Sequence, residues 1–429
     1  MNTMIKNTAL GDIKGLVMED GTVQYRGIRY ATAERWAYPM AVDRWEGVYD
    51  ATEYGAACLQ LRSFTPESEK EPIPFYYKEF RQGLDFKYSE DCLFLDIYAP
   101  ADCTNAAVII YIHGGAFLSG CGCELHMDGS AYARQNIIFV SVNYRLGVLG
   151  FLCDRQLAEE AGHSGNYGLY DQLEAIRWVY SHIKEFGGNP DNITLFGQSA
   201  GAMSIQQHCL SPLSKPYISR VYMASGGGIG EEFAYVSPVE NSYDYWEKLT
   251  NELGAAPSEW RGQPVEKVFK AFHKTADKEL MSHCCPHIDG MIIPKAPKDA
   301  ASAGEFAQVP YILSTNSEDM APEQLHAMSR EWSRLVNEKG GKAYYFYFKR
   351  QLPGDEAGAF HSAELWYTMG SWKKCWRPFT DWDKEISDAL VDAIAKFAQT
   401  GNPCRGKLAD WKPYLSMEDA LVISDDSIE

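Results

Sequence analysis

This chain has no excess of positive charge, no long apolar run and no signature for a bound nucleotide or metal. Its 429 residues carry 40 Lys and Arg against 58 Asp and Glu, a net charge of −18. Nucleic acid and anionic membrane surfaces both require basic patches, so neither partner is expected. No run of about 18 apolar residues occurs, so no membrane-spanning helix is expected. The stretch Met1–Gly15 lacks the apolar centre of a secretory signal. That predicts a cytoplasmic protein with reduced thiols, and the 11 cysteines, an odd number, cannot all pair within one chain. H-E-x-x-H, the P-loop and G-x-G-x-x-G are absent, which removes support for a metalloprotease, an NTPase or a dinucleotide enzyme; no cofactor and no metal are expected. Internal repeats, low-complexity tracts and linkers are also absent, so residues 1–429 read as one domain.

What is present alternates between strand and helix signals. Ile13–Val17 and Val23–Tyr30 flank the turn Glu19-Asp20-Gly21 and predict an N-terminal antiparallel hairpin. A loop-rich segment carries the aromatics Phe75, Tyr76, Tyr77 and Phe80. Leu93–Tyr98, Val108–Ile112, Ile137–Val142, Val221–Ala224, Tyr311–Ser314 and Ala343–Phe348 read as strands, several of them apolar throughout, as strands covered on both faces are. Leu169, Leu173, Ile176, Tyr180 and Ile183 recur at helical spacing over 168–186, with Gly187-Gly188 as the stop and Pro190 beyond it. A late helix carries Ile386, Leu390, Ile394 and Phe397, with Thr380 or Asp381 as its cap and Gly401 past its end. The alternation implies an α/β fold with a mostly parallel central sheet and helices on both faces.

The chemistry concentrates in Gly197-Gln198-Ser199-Ala200-Gly201, a G-x-S-x-G run between an apolar strand, Asp191–Phe196, and a helix over 200–210. In that context the motif is a nucleophile elbow: a turn so tight that the glycines are needed for clearance, with the serine hydroxyl lifted out of the sheet. His113-Gly114-Gly115-Ala116-Phe117 follows another apolar strand. The amides of Gly114 and Gly115, with that of Ala200, would form a three-donor oxyanion pocket. His113 reads as a structural loop histidine. A base must come from further along the chain, and His361, after the strand Ala343–Phe348, is the best-placed candidate; His208 falls on the helix after the elbow and points away. The carboxylate belongs after Tyr311–Ser314, where Glu318 and Asp319 are both available. Phe117, Gln198 and the aromatics of 75–80 are candidate pocket walls. Cys121-Gly122-Cys123 and His283-Cys284-Cys285-Pro286-His287 look like metal motifs but lack a second half-site. Gly226-Gly227-Gly228 either borders the pocket or permits close packing.

These segments together resemble the type-B carboxylesterases, the family of the cholinesterases and bacterial p-nitrobenzyl esterases. Glu90-Asp91-Cys92-Leu93, the His113–Phe117 loop, Asn143-Tyr144-Arg145, Gly165–Gln172, Phe186–Pro190, Asp289-Gly290, Phe360-His361 with Glu364-Leu365, and Phe397–Pro403 match in order across nearly the whole chain. The resemblance implies an α/β-hydrolase fold and ester hydrolysis through Ser199, His361 and, by register, Asp319, acting on a small-molecule ester without an obligate protein partner. It also implies two buried ion pairs, Arg35 with Glu90 and Arg145 with Asp171. The sequence departs from the family in three places. Only 42 residues separate Asp319 from His361, which predicts a truncated, more open pocket. Gln198 stands where many relatives have Glu, which argues against choline-like cations. Cys58 and Cys92, disulfide-bonded in secreted relatives, would lie close but unpaired. Neutral short-chain or aryl esters are the expected substrates. Amides, carbamates and thioesters are alternatives on the same residues, and a non-catalytic adhesion module is the alternative from another class.

Overall fold

The computed structural model describes residues 2–230 and 236–429. Twelve strands form its main sheet: β1 (Asn2–Thr8), β2 (Gly11–Val17), β3 (Thr22–Arg29), β4 (Val48–Asp50), β5 (Phe94–Pro100), β6 (Ala106–Ile112), β7 (Ile137–Val142), β8 (Gly188–Gln198), β9 (Arg220–Ala224), β10 (Tyr311–Asn316), β11 (Ala343–Phe348) and β12 (Leu421–Ile423). Their spatial order is β1-β2-β3-β5-β7-β6-β8-β9-β10-β11-β12, with β4 beside β2. The first four contacts along this path are antiparallel and every later one is parallel. The expected hairpin is therefore part of a three-stranded meander. Its extra member, β1, is a mostly exposed edge strand of polar residues, so it lacks the apolar signal of the others.

Alternate residues of β6 enter two separate cores. Val108, Ile110 and Ile112 pack into one with helices α2 (Tyr167–His182) and α3 (Ala200–Leu210); Ala107, Ile109 and Tyr111 pack into the other with the late helix Asp381–Thr400. Period-2 alternation in an all-apolar strand is what two covered faces require. α2 ends at His182, and a 3₁₀ turn, Ile183–Phe186, carries the chain to Gly187 at φ 90°. Tyr180, expected on the apolar stripe, is 37% exposed and stacks edge-on against Tyr217. The segment expected to be a loop contains a short helix, Phe75–Phe80, which sets three aromatic rings on one side of the site. Thr380 caps the late helix through a capping box with Asp383, and Gly401 ends it at φ 77°. Among the described residues no helix is long and apolar enough to cross a membrane.

Of the two family-type ion pairs, Arg145–Asp171 is fully buried, whereas Glu90 of the Arg35–Glu90 pair is one-third exposed. All 11 cysteines are free; Cys58 and Cys92 are buried neighbours, and the Cys58 sulfur also accepts from the Leu146 amide.

One buried carboxylate serves the fold alone. The β3–β5 ladder shifts register between Tyr25 and Ile28, and Asp96 on β5 accepts from the displaced Gly27 amide at 2.7 Å. Its other oxygen faces the Ser141 hydroxyl at 3.4 Å. Burial pushes its pKa up from 3.8 to about 7. A carboxyl whose folded pKa is raised stabilises the fold below its unfolded pKa and loses that contribution as pH climbs toward the folded value. Asp96→Asn keeps the acceptor for Gly27 and cannot ionise. It is expected to match the parent near pH 4 and to exceed it by about 2–4 kcal/mol near pH 8, measured by urea unfolding at both pH values. A variant no more stable than the parent at the higher pH would contradict this.

Candidate functional site

The elbow forms where β8 gives way to α3. Ser199 sits between them at φ 56° and ψ −127°, outside the regions that L-residues favour. Its amide donates to the Ala224 carbonyl at 2.8 Å, which ties the turn to β9. A Cβ on Gly201 would lie 2.0 Å from the Ile112 carbonyl oxygen, and one on Gly197 would strike the first turn of α3 at 2.7 Å. One on Gly226 would lie 2.1 Å from the Ser199 carbonyl oxygen. Gly227 and Gly228 likewise face Met223 and Met328, so the triple-glycine run serves close packing around the elbow.

The loop after β6 approaches from the other side. Gly115, Ala116 and Phe117 all take positive φ, and a Cβ on Gly115 would overlap the Ser119 carbonyl oxygen at 1.9 Å. The amides of Gly114, Gly115 and Ala200 have no acceptor among the described residues. A set of preorganised, unspent N–H donors beside a serine is what a developing oxyanion needs.

His361 and Asp319 meet across the sheet end: Nδ1 of His361 lies 2.7 Å from Oδ1 of Asp319. The second Asp319 oxygen accepts from the Ser225 hydroxyl at 2.9 Å and the Asn316 amide at 2.8 Å. Three donors hold that carboxylate in one orientation. Glu318 turns the other way and accepts from the Ala359 amide at 3.0 Å and from Gln351 at 3.2 Å. Asn316 also donates to Glu364, whose burial, with the nearby Asp319 charge, pushes its pKa up to about 7. Ser225 and Asn316 thus support the acid without any motif that marks them, and Glu364, which falls in a family block, lies behind them. Only helix Pro322–Glu338 lies between Asp319 and the strand that leads to His361.

With Nδ1–H directed at the carboxylate, Nε2 of His361 is an acceptor. Its neighbour is the Gln198 side-chain amide at 3.2 Å, and no hydrogen bond joins the Ser199 hydroxyl to any described residue. The Gln198 amide therefore occupies the lone pair that a serine proton would use. Serine–imidazole contacts of this kind commonly tighten only with substrate bound.

Ser199, His361, Gln198, Gly114 and Gly115 all line one cavity of about 370 Å³. Phe75, Tyr76, Phe80 and Leu365 supply apolar wall, and Tyr76 anchors it by donating to the His361 carbonyl at 3.2 Å. Phe117 does not line it. That ring is 4% exposed and packs edge-on against Phe151 with centroids 5.0 Å apart, because the positive-φ turn at 115–117 directs it into the core. His208 is spent on Ser214 and Gln172. Ser242 bridges His283 and His287 at 2.9 and 2.6 Å, and among the described residues no group of three or more His, Cys, Asp or Glu side chains is placed to hold a metal ion.

The sequence model described as the Carboxylesterase family matches residues 2–331 and 323–427. The chain is 29% identical over 499 aligned positions to the para-nitrobenzyl esterase of Bacillus subtilis (strain 168), covering 100% of this chain and 96% of that protein. It is 32% identical over 337 positions to the acylcarnitine hydrolase of Mus musculus, covering 73% of this chain and 56% of that protein. A solved structure of a PNB esterase superposes with a TM-score of 0.83 at 26% identity, over 100% of this chain and 97% of the other.

Proposed function

The chain belongs to the carboxylesterase family, a serine hydrolase on an α/β-hydrolase fold, and on that premise we propose that Ser199, His361 and Asp319 hydrolyse neutral short-chain or aryl esters through an acyl-enzyme. The observation that carries this reading is the 2.7 Å contact of Asp319 with Nδ1 of His361 beside a serine on a strained elbow and three unspent amides.

The Gln198 amide swings off Nε2 as the ester enters. Ser199 Oγ attacks the carbonyl carbon while Nε2 takes the hydroxyl proton, and Asp319 stabilises the imidazolium that results. The carbonyl oxygen, now an anion, takes donors from Gly114, Gly115 and Ala200. Each such donor is worth about 3–4 kcal/mol of barrier. The C–O bond to the alcohol breaks as Nε2 returns its proton to that oxygen. Water then attacks the acyl-enzyme by the same route, giving the carboxylic acid and free Ser199.

The cavity has aromatic rings in one wall, and its charged lining residues Glu67, Arg81 and Glu124 are paired with one another and with Arg62, which fits a neutral ester. A p-nitrophenyl ester series from acetate to palmitate tests the proposal. The expected profile is a maximum of kcat/KM at acyl chains of about two to six carbons and a fall beyond, as for a site of about 300–1,000 Å³ that must enclose its ligand. Failure to hydrolyse any member would defeat the proposal, and a flat profile would remove the confined acyl site.

A further inference from the structure

We propose that the cavity beside Ser199 contains a hydroxyl-recognition subsite built from Tyr111, His113 and His126, and that the preferred ester carries a phenolic or comparable neutral hydroxyl on one arm. This rests on the hydrolase reading above and names its substrate class.

The observation is a set of polar atoms with no partner in a place where such atoms are costly. The Tyr111 hydroxyl, Nε2 of His113 and Nδ1 of His126 are buried and hydrogen-bonded to nothing among the described residues. The three side chains are 0%, 1% and 3% exposed, and all three residues line the same cavity as Ser199. A buried polar group left unpaired forfeits its hydration with nothing in return. Three in one lining are a strong reason for something polar to sit among them.

Their chemistry selects the occupant. Nδ1 of His113 faces the Gly114 carbonyl at 2.7 Å and therefore carries the proton, which leaves Nε2 as a bare lone pair that requires a donor. Burial lowers the pKa of both histidines to about 4, so neither ring is a cation near neutral pH, and burial raises that of Tyr111. The charged groups nearby cancel: Glu124 pairs with Arg62 at 3.0 Å and lies 3.6 Å from Arg81, and Arg81 is held by Glu67 at 2.8 Å. An anion would meet a lone pair with no free positive charge to hold it. A neutral hydroxyl suits this lining, because it accepts from the Tyr111 O–H and donates to a bare imidazole nitrogen, Nδ1 of His126 or Nε2 of His113. Phe80, whose ring lies 4.2 Å from that of His126, together with Phe75 and Tyr76 makes an aromatic arm the natural carrier.

The hydroxyl could sit on the acyl or the alcohol side of the ester, and matched pairs separate the two. The acyl pair is methyl 3-(4-hydroxyphenyl)propanoate and its 4-methyl isostere; the alcohol pair is 2-(4-hydroxyphenyl)ethyl acetate and its 4-methyl isostere. One pair is expected to show a kcat/KM preference of about tenfold or more for the hydroxyl member, since a site that hydrogen-bonds a hydroxyl rejects the analogue lacking it. That ratio should fall to within about threefold of unity in Tyr111→Phe and in His126→Phe. Tyr111→Phe deletes an oxygen that has no partner among the described residues, so the fold loses no bond to them. Calorimetric titration of Ser199→Ala with p-cresol and with p-xylene reads the same preference without turnover. Ester hydrolysis with no hydroxyl preference in either pair overturns the subsite and leaves the hydrolase reading standing. Equal binding of p-cresol and p-xylene overturns it too, as does a preference that survives both substitutions. If no ester is hydrolysed the hydrolase reading fails, and the calorimetric pair still decides whether a hydroxyl is recognised.

Discussion

Ser199→Ala is expected to lower kcat on p-nitrophenyl acetate by about five to six orders of magnitude, with His361→Ala and the double variant no worse than either single change. The serine and histidine act as one unit, so the first loss removes what both supply. Some acceleration over water should survive, because the unspent amides of Gly114, Gly115 and Ala200 still face the carbonyl. Alanine at φ 56° bears the same backbone strain as serine, and Ser199 makes no side-chain hydrogen bond among the described residues, so unfolding should be unchanged. Steady-state kinetics, a thermal melt and stoichiometric labelling by an organophosphate check the result together. A variant with a few per cent of parental activity would place the nucleophile elsewhere.

Asp171→Asn is expected to destabilise the fold by about 3–5 kcal/mol. Asp171 lies on α2 and is fully buried; it accepts from the Arg145 side chain at 2.7 and 2.8 Å and from the Arg145 amide at 3.0 Å. Arg145 in turn donates to the Ala37 carbonyl at 2.7 Å, so the pair clamps the segment after β7 to both α2 and the N-terminal region. Neutralising the carboxylate leaves a guanidinium 4% exposed with no counter-charge. Replacing both partners at once, Arg145→Met with Asp171→Leu, should cost much less, since no charge is then stranded. Glu90→Gln at the outer pair should cost only about 1 kcal/mol, because water already screens that carboxylate. Urea unfolding of the four proteins checks the order, and an Asp171→Asn variant as stable as Glu90→Gln would contradict it.

Ser199 is picked out by local pattern and Asp171 only by the family resemblance, while several of the elements around them were legible. The strand over 343–348, the helix over 200–210 and the cap at Thr380 follow from short-range periodicity, glycine clearance and side-chain-to-backbone hydrogen bonds. The edge strand Asn2–Thr8 was not, because its partner supplies what its polar side chains do not.

The amino-acid sequence by itself determined the elbow at Ser199, the glycines around it and the strand and helix periodicities that build a parallel sheet, because each is a constraint between residues a few positions apart. Tertiary structure alone decided that Phe117 is core and not wall, that Gln198 rests on the imidazole, and that Tyr111, His113 and His126 keep polar atoms unspent in one cavity. Those outcomes depend on which way a side chain leaves a loop and on what distant segment arrives to meet it, and neither is written in the spacing of residues along the chain.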